Sequence, residues 1–384
     1  MPAILFLFSL TNLVIGTGAY VLTGILQPLA DSLHVSVAAA GQATTAHALA
    51  TAILAPLILL ATGGWPRKRA ILLALALFAA GTAISASAQS LTVLLLGRVL
   101  MGAGTVFTAV VAGVTVSIVA PEQRGKALAI AFLGMSLSYA LGVPLGAWLG
   151  LTYGWRVPVW LVAGACVAVA ALLALVLPQR IEAPGAGFAG LGAAARQGFV
   201  LRVWARTLLY IAAIFSVFAF VGPVLLSLNP LSPTQLSLTL VLFGFSGVAG
   251  GVLGGMCTDR FGPVRTLRVQ LVLLASMMVL VPFTQGHPML TVLVFMLWGL
   301  AGFGMLAPQQ VMLTTRVPHQ AALLMSLNGS MLYLGSALGA IVGGTLIHTL
   351  GFERLSWVGL PFALLALATL WFDTHRHPRE APVL

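Results

Sequence analysis

Long apolar stretches follow one another along this chain, and short polar segments separate them. Each stretch is close to the roughly 20 mainly apolar residues that an α-helix needs to cross a bilayer. The sequence therefore predicts an all-α integral membrane protein with twelve transmembrane helices. The predicted spans are 3–30, 38–62, 69–88, 91–119, 126–150, 156–177, 204–228, 234–258, 264–284, 288–315, 320–349 and 354–373.

Basic residues are distributed unevenly over the two sides that these spans define. Of the 18 lysines and arginines, fifteen fall in the two tails and the even-numbered connections, and only Arg156 and Arg354 fall in the others. Cytoplasmic loops of membrane proteins are enriched in Lys and Arg. We therefore expect both termini to be cytoplasmic.

The longest connection, 178–203, is rich in Gly and Ala and follows the sixth span. It predicts a cytoplasmic linker between two six-helix bundles, an N-terminal one at 1–177 and a C-terminal one with a short cytoplasmic tail at 204–384. The two halves also resemble each other in sequence, which predicts a pseudo-symmetric duplication. A shift of 197 residues aligns Pro121 with Pro318, Gln123 with Gln320, Gly142 with Gly339, Gly146 with Gly343 and Gly154 with Gly351, and a shift of 196 aligns Ser36 with Ser232 and Arg69 with Arg265.

Composition excludes several functional classes. Apolar residues make up 60% of the chain and charged residues 7%, a balance that soluble domains do not show. The formal charge of +11 comes from short basic clusters between spans, so it reflects topology and not a nucleic-acid partner. Cys166 and Cys257 lack metal-ligand spacing, and the chain has no motif of a membrane-embedded hydrolase. We expect no enzymatic activity, metal or cofactor.

Arg98 lies inside the fourth span, and no other Lys, Arg, Asp or Glu lies deep within an apolar stretch. Because an arginine at that depth is costly, it needs a partner or a wet cavity. Gly102 and Thr105 continue the same helical face, which favours a face exposed to water. The alternative is a side chain that extends to the near interface, since Arg98 follows Leu91 by only seven residues.

Polar side chains at helical spacing in the first and tenth spans suggest the lining of a ligand cavity. Trp298 lies roughly at the repeat position of Arg98. Together with Arg98 and Thr105, the predicted cavity residues are Asn12, Tyr20, Thr23, Gln27, Trp298 and Gln309.

Proton coupling has two candidate residues. His47 lies about ten residues into the second span, near mid-membrane at 1.5 Å per residue, and it is the deep side chain that titrates near neutral pH. A neutral histidine with only a packing role is the alternative. Asp31, at the outer end of the first span, is the second candidate, because all seven acidic residues fall in loops, tails or helix ends.

Small residues spaced by four predict close helix contacts in three spans. Static packing and sliding surfaces explain such faces equally well. The faces are Gly134, Ser138, Gly142, Gly146 and Gly150 in the fifth span, Gly335, Gly339 and Gly343 in the eleventh, and Gly247, Gly251 and Gly255 in the eighth.

The loop after the eighth span carries a recognisable motif, in which Gly255 permits close helix contact and Asp259 can meet a helix N-terminus or an arginine. Its residues Gly255, Asp259, Arg260, Gly262 and Arg265 match G-x-x-x-D-R-x-G-x-x-R, and this resembles the loop signature of the major facilitator superfamily. Arg98 with Gly102 and Gly104 resembles that family's fourth-helix pattern, and Gly142-Val-Pro144-Leu-Gly146 its fifth-helix pattern in exporters. The chain resembles the arabinose-efflux-permease-like branch of the drug:proton antiporters, although it has Gly63 and Ala19 where acidic residues are expected.

The resemblance implies a secondary active transporter that works by alternating access, with proton-coupled efflux of a small amphipathic or sugar-like compound. An uptake symporter or uniporter of the same fold, or a membrane sensor that does not transport, are the alternatives. The implied partners are a small-molecule substrate, protons as the coupling ion and the lipid bilayer. We expect a monomer in a bacterial inner membrane.

Overall fold

The structure, a computed structural model, describes residues 3–179, 181, 197–316 and 321–375. Within these ranges the chain forms helices and no β-strand. Eleven of the described helices are long and apolar enough to cross a membrane, and the apolar part of one more, Ser356–Trp371, is shorter. The predicted fold class of twelve transmembrane helices is confirmed.

Some spans are single α-helices and others are interrupted. The continuous ones are α2 (Val37–Ala61), α3 (Arg67–Ala86), α6 (Arg156–Val176), α8 (Pro233–Phe261), α9 (Pro263–Leu280), α11 (Ala321–Leu350) and α12 (Ser356–His375). The interrupted ones are α1 (Ile4–Tyr20 and Leu26–Leu33), α4 (Leu91–Gly104 and Val106–Ser117), α5 (Arg124–Leu137 and Val143–Tyr153), α7 (Gly198–Phe218 and Val221–Leu228) and α10 (Pro288–Gly304 and Leu306–Arg316).

Four of the five interruptions follow the internal repeat; the exception is α5, whose counterpart α11 is continuous. The helices α1 and α7 break at equivalent places, α1 through a short 3₁₀ turn at Val21–Gly24 and α7 after Phe218. The helices α4 and α10 break after Gly104 and Gly304. Four discontinuous helices in repeat positions are a feature of secondary transporters.

Residues aligned by the repeat also have the same local geometry. Ser36 caps the start of α2, where its Oγ accepts a hydrogen bond from Ala39 N at 3.1 Å. Ser232 caps α8 with Gln235 in a reciprocal capping box, with bonds of 2.9 and 3.3 Å. Gly154 and Gly351, at the ends of α5 and α11, have φ of +98° and +72°, which favour glycine.

Two of the small-residue faces make the close contacts expected of them. The face of α5 packs on α1, because a methyl group at Gly142 would overlap Thr17 and one at Gly134 would overlap the backbone of Ser9. The face of α11 packs on α7 in the same way, with Gly339 against the backbone of Ala212.

A wide turn keeps the α5 face in register. Residues spaced by four drift by about 40° per step around a regular α-helix, since each residue advances about 100°. The π-helical turn Ser138–Gly142 contains more residues per turn and removes part of that drift. Both Gly134 before it and Gly150 after it therefore contact α1.

The predicted face of α8 is confirmed at Gly247, which packs on Phe303 of α10, and is wrong at Gly251 and Gly255. A methyl group at Gly251 or Gly255 would meet nothing within 4 Å, so Gly255 makes no close helix contact. The neighbouring glycines make it instead, Gly250 against Leu300 and Gly254 against Gly304 of α10. Because α8 has glycines at adjacent positions, the sequence alone allows two possible glycine faces, and only the packing of α8 on α10 decides between them.

The start of α7 also differs from the prediction. The helix begins at Gly198 and not at 204, so Arg206 lies about two turns inside it, where it is fully buried. Arg98 is therefore not the only buried arginine within a span. The predicted linker 178–203 lies largely outside the described residues, at 180 and 182–196.

Packing divides the described residues into two compact units. One comprises the described parts of Met1–Gly187 with Phe218–Phe245, and the other those of Phe188–Val217 with Ser246–Leu384. The first unit includes Phe218–Phe245 because this segment packs closely on the first half, as at Gly222, where a methyl group would overlap the backbone of Gly24. These units are defined by contacts, and the two predicted sequence halves stay a prediction.

Candidate functional site

Arg98 forms the centre of a buried polar cluster in the first unit. Its side chain is 1% exposed, and its guanidinium donates to three backbone carbonyls of two other helices. Nε donates to Ala43 O of α2 at 3.1 Å, Nη1 to Gly18 O of α1 at 2.8 Å, and Nη2 to Ala19 O of α1. Nη1 also contacts Met101 Sδ at 3.6 Å.

The carbonyls that Arg98 binds belong to the broken end of α1. The last carbonyls of a helix have no partner within the helix, and they form the negative end of its dipole. Because the first segment of α1 ends at Tyr20, Gly18 and Ala19 lie in that last turn. The guanidinium therefore caps a helix end inside the membrane, where water is not available to do so.

The water-facing surface predicted along α4 is a helix contact instead. Arg98, Gly102 and Thr105 are all buried, and a methyl group at Gly102 would lie 2.7 Å from His47 O. The small residues let α2 approach closely enough for Arg98 to reach Ala43. The alternative of an arginine extended to the interface is also wrong, since its partners are carbonyls within the bundle.

His47 lies beside Arg98 in the contact between α2 and α4. It is 1% exposed and within electrostatic range of the guanidinium. Neither ring nitrogen makes a hydrogen bond of normal geometry with a described residue, although the ring lies close to the backbone of Arg98. One turn further along α2, Thr51 Oγ1 lies 3.4 Å from both Gly102 O and Thr105 Oγ1. A buried imidazole with unsatisfied nitrogens is unusual and needs an explanation.

Tyr20 connects this cluster to a group of aromatic rings. Its ring stacks on Tyr139 of α5 at 5.1 Å between centroids and meets Phe218 of α7 edge-on at 6.0 Å. Tyr20 also lies within electrostatic range of Arg98. Phe218 in turn stacks on Phe243 of α8 at 5.7 Å.

The other predicted residues of α1 do not converge on one point. Asn12 is buried and donates to Ala131 O of α5 at 2.8 Å, and Thr23 is buried and donates to Tyr20 O at 2.7 Å. Gln27 and Asp31 are exposed in the second segment of α1, where Gln27 Nε2 donates to Asp31 Oδ1 at 2.9 Å. Only Tyr20 of this predicted stripe adjoins the Arg98 cluster.

The predicted residues of the second unit lie on α10. Trp298 is buried and meets Phe295 edge-on at 5.2 Å. Gln309 is buried, and its Oε1 lies 3.5 Å from Nη1 of Arg206. Arg206 Nε also donates to Thr369 Oγ1 of α12 at 3.0 Å, so this arginine joins α7, α10 and α12.

Comparison with known proteins identifies the family. The family model of the Major Facilitator Superfamily matches residues 8–231 and 207–383. The chain belongs to the major facilitator superfamily.

Two relatives and one solved structure show how far the similarity to other superfamily members extends. Inner membrane transport protein YdhP of Escherichia coli K12 is 30% identical over 371 residues, which cover 96% of this chain and 95% of that protein. A chloramphenicol resistance protein of Streptomyces lividans is 31% identical, with 97% of each chain covered. The crystal structure of a bacterial homolog to the human lysosomal transporter Spinster has a TM-score of 0.82 at 18% identity, covering 99% of this chain and 98% of that one, and shows the shared fold.

Membership of the major facilitator superfamily establishes the general activity. The chain is a multi-pass membrane transporter of the efflux-permease type with a small-molecule substrate, and it is not an enzyme.

The superfamily loop motif is present, but its acid has no partner among the residues that the structure describes. Asp259, Arg260 and Arg265 are exposed, and Asp259 makes neither a hydrogen bond nor an ion pair with any described residue. Gly262 has a φ of +81°, which requires glycine at the turn into α9. In the fifth-helix motif, Gly146 packs on Val21 and the carbonyl of Pro144 accepts a bond of 2.9 Å from Ser237 of α8.

Sequence reasoning missed Tyr139, Arg206 and the carbonyls that bind Arg98. Tyr139 lies one residue from the predicted small face of α5, and no polar stripe marks it. Arg206 is the third residue of the predicted span 204–228 and follows Arg196 and Arg202, so the sequence groups it with the basic residues of the cytoplasmic side. Backbone carbonyls have no signature in sequence, because every residue carries one.

Proposed function

We propose that this superfamily member exports a small amphipathic or sugar-like compound across a bacterial inner membrane in exchange for protons. It works by alternating access, as a monomer with both termini in the cytoplasm. The observation that carries the proposal is the break in α1, with its carbonyls at Gly18 and Ala19 capped by Arg98. Substrate sites of secondary transporters are formed at such discontinuous helices.

The names of two relatives support export as the direction of transport and an amphipathic compound as the substrate. One relative is named a chloramphenicol resistance protein, and removal of an amphipathic compound from the cell is one source of resistance. Another is named an inner membrane transport protein. Both match almost the full length of this chain.

Arg98 contributes to ligand binding through its charge and through the position of α1. In the described residues its partners are neutral carbonyls and a thioether, so its positive charge is not neutralised by an ion pair. That charge favours anionic or polar groups on the ligand. We also propose ligand contacts for the other predicted cavity residues, which are Tyr20, Thr105, Trp298, Gln309, Asn12, Thr23 and Gln27.

His47 is the proposed proton carrier. A carrier must gain and lose a proton near working pH, which arginine cannot do. His47 is buried beside Arg98 and makes no hydrogen bond of normal geometry with a described residue, whereas Asp31 is exposed and bonded to Gln27. The proton binds a ring nitrogen of His47 as the ligand leaves, and it is released to the opposite side when the transporter returns.

Inside-out membrane vesicles test the proposal. Radiolabelled chloramphenicol and a panel of sugars and nucleosides should include at least one compound that accumulates faster than in vesicles without the protein. Collapse of an inwardly acidic pH gradient should abolish that accumulation. Flux that does not respond to the gradient would indicate a uniporter, and no flux for any compound would favour a sensor.

A further inference from the structure

Thr44 of α2 carries a buried hydroxyl that makes no hydrogen bond with a described residue. Its side chain is 1% exposed, and its Oγ1 has no partner in the described part of the chain. Threonines inside helices commonly donate to the carbonyl four residues earlier, as Thr11 and Thr82 do at 2.8 and 2.7 Å. Because a buried hydroxyl without a hydrogen bond destabilises a protein, the hydroxyl of Thr44 needs an explanation.

His47 lies on the same side of α2 as Thr44. Residues three apart in a helix have Cβ atoms about 5–6 Å apart. Long side chains in a helix also point back toward its N-terminus, over the preceding turn. The imidazole of His47 is therefore directed toward the turn that contains Thr44. Thr51, one turn in the other direction, is less suitable as a partner, because its Oγ1 already lies 3.4 Å from both Gly102 O and Thr105 Oγ1.

Proton binding changes what the ring of His47 requires. A protonated imidazole has an N–H on each nitrogen, so it needs two hydrogen-bond acceptors. One part of the ring lies close to the backbone of Arg98, whose carbonyl oxygen can accept one hydrogen bond. The other N–H needs a second acceptor. Thr44 Oγ1 is a buried acceptor one turn away that has no partner among the described residues.

Neighbouring helices offer no carboxylate beside this ring in the described part of the chain. The acidic residue of α1, Asp31, is exposed at the outer end of that helix, as is His34. The charged residue of α4 is Arg98, which opposes a second positive charge, and Tyr20 of α1 lies within electrostatic range of Arg98. The second segment of α7, which approaches α2 at Gly41, has no titratable residue. The protonated ring therefore depends on neutral acceptors.

We propose that Thr44 is a positioning residue for the proton on His47: its hydroxyl accepts the second N–H of the protonated ring. This inference rests on the proposed function, in which His47 carries the proton. The hydroxyl can at the same time donate its own hydrogen to Ala40 O, four residues earlier, as Thr11 and Thr82 do in their helices. Because hydrogen bonds to a charged group are stronger than those between neutral groups, Thr44 stabilises the protonated form of His47 more than the neutral form.

An NMR titration of the purified full chain in nanodiscs, with isotope-labelled histidine and no transported compound, tests the inference. The signal that is missing in His47→Gln assigns His47. Thr44→Val removes the hydroxyl at nearly constant volume, and it should move the midpoint of the His47 titration about one pH unit lower, since a hydrogen bond to a charged group contributes about that much. Thr44→Ser keeps a hydroxyl and should titrate as the wild-type protein does.

Thr45→Val is the matched control. Thr45 is also buried, and its hydroxyl likewise has no partner among the described residues, but it lies about 200° before His47 around α2 and so on nearly the opposite side. Thr45→Val should leave the titration of His47 unchanged. If Thr44→Val does not fold, Thr44→Ala serves in the same comparison. An unchanged midpoint in the Thr44 variant, or an equal shift in Thr45→Val, would overturn the inference.

The titration also separates this inference from the proposed function. A lowered midpoint in Thr44→Val, without any gradient-driven flux in the vesicle assay, would support the role of Thr44 and contradict only the function. Loss of gradient-driven flux in His47→Gln, together with a wild-type midpoint in Thr44→Val, would contradict only the role of Thr44. A His47 that stays neutral at every pH at which the protein is folded would contradict both.

Discussion

Nη1 of Arg98 lies 2.8 Å from the carbonyl oxygen of Gly18 and donates a hydrogen bond to it, which links α4 to α1. The same guanidinium binds Ala19 and Ala43, so a side chain of α4 holds the broken end of α1 against α2. At position 19 this chain has no carboxylate, and the arginine interacts with backbone instead. The position of α1 therefore depends on Arg98.

Substitution of Arg98 should damage both stability and transport. Arg98→Ala leaves carbonyls on α1 and α2 without partners, which we expect to cost about 2–5 kcal/mol of stability. Arg98→Lys should be nearly as harmful, because one ammonium cannot reproduce the planar set of donors. Thermal unfolding and vesicle flux measure the two effects. Arg268→Lys, at an exposed site outside the loop motif, is the control and should behave as wild type. An Arg98→Lys variant with normal stability and flux would contradict the capping role.

The glycine faces should show graded sensitivity to side-chain size. Gly142→Leu and Gly339→Leu should abolish transport, because both glycines lie against a neighbouring helix. Alanine should be tolerated better at Gly142, where the obstacle is the side chain of Thr17, than at Gly339, where a methyl group would lie 2.8 Å from Ser216 N. Flux in vesicles measures the difference.

Gly251 provides the control for these substitutions. It lies in α8 among other glycines, but a methyl group there would meet nothing within 4 Å. Gly251→Leu should therefore transport normally. Equal loss of flux at Gly251 and Gly339 would mean that leucine disturbs the protein for a reason other than helix contact.

The spans were predictable because crossing a bilayer requires length and low polarity, and both can be read from composition. The breaks in α1 and α4 were not. The residues around Tyr20 and Gly104 include Gly and Thr, but Gly and Thr also occur elsewhere in these spans, so their presence does not mark where a helix is interrupted. The interruption depends on tertiary partners such as Arg98.

The candidate site was predictable only in part, for the same reason. Arg98 and His47 were identified because an ionisable group inside an apolar span is conspicuous. Their relationship to Gly18 and to each other depends on how α1, α2 and α4 pack. Tyr139 was missed because an aromatic residue in an apolar helix is ordinary until its neighbours in space are known.

The orientation of the chain stays a prediction from basic residues. The connection 178–203 should be cut by protease from the cytoplasmic face only, because most basic residues lie on that side. Proteolysis of inside-out vesicles and of intact cells measures this accessibility. A protease site engineered near Gly286, in the connection between α9 and α10, is the control for the opposite side and should be cut in intact cells. Cleavage at 178–203 in intact cells would contradict the predicted topology.

Proton coupling through His47 is the central claim, and flux in proteoliposomes under an imposed pH gradient tests it most directly. His47→Gln preserves much of the volume and polarity of the imidazole but does not titrate. We predict that His47→Gln still binds its ligand and equilibrates it down a concentration gradient, but no longer accumulates it in response to the pH gradient. Full gradient-driven accumulation by His47→Gln would contradict the account, because the histidine would then be a packing residue.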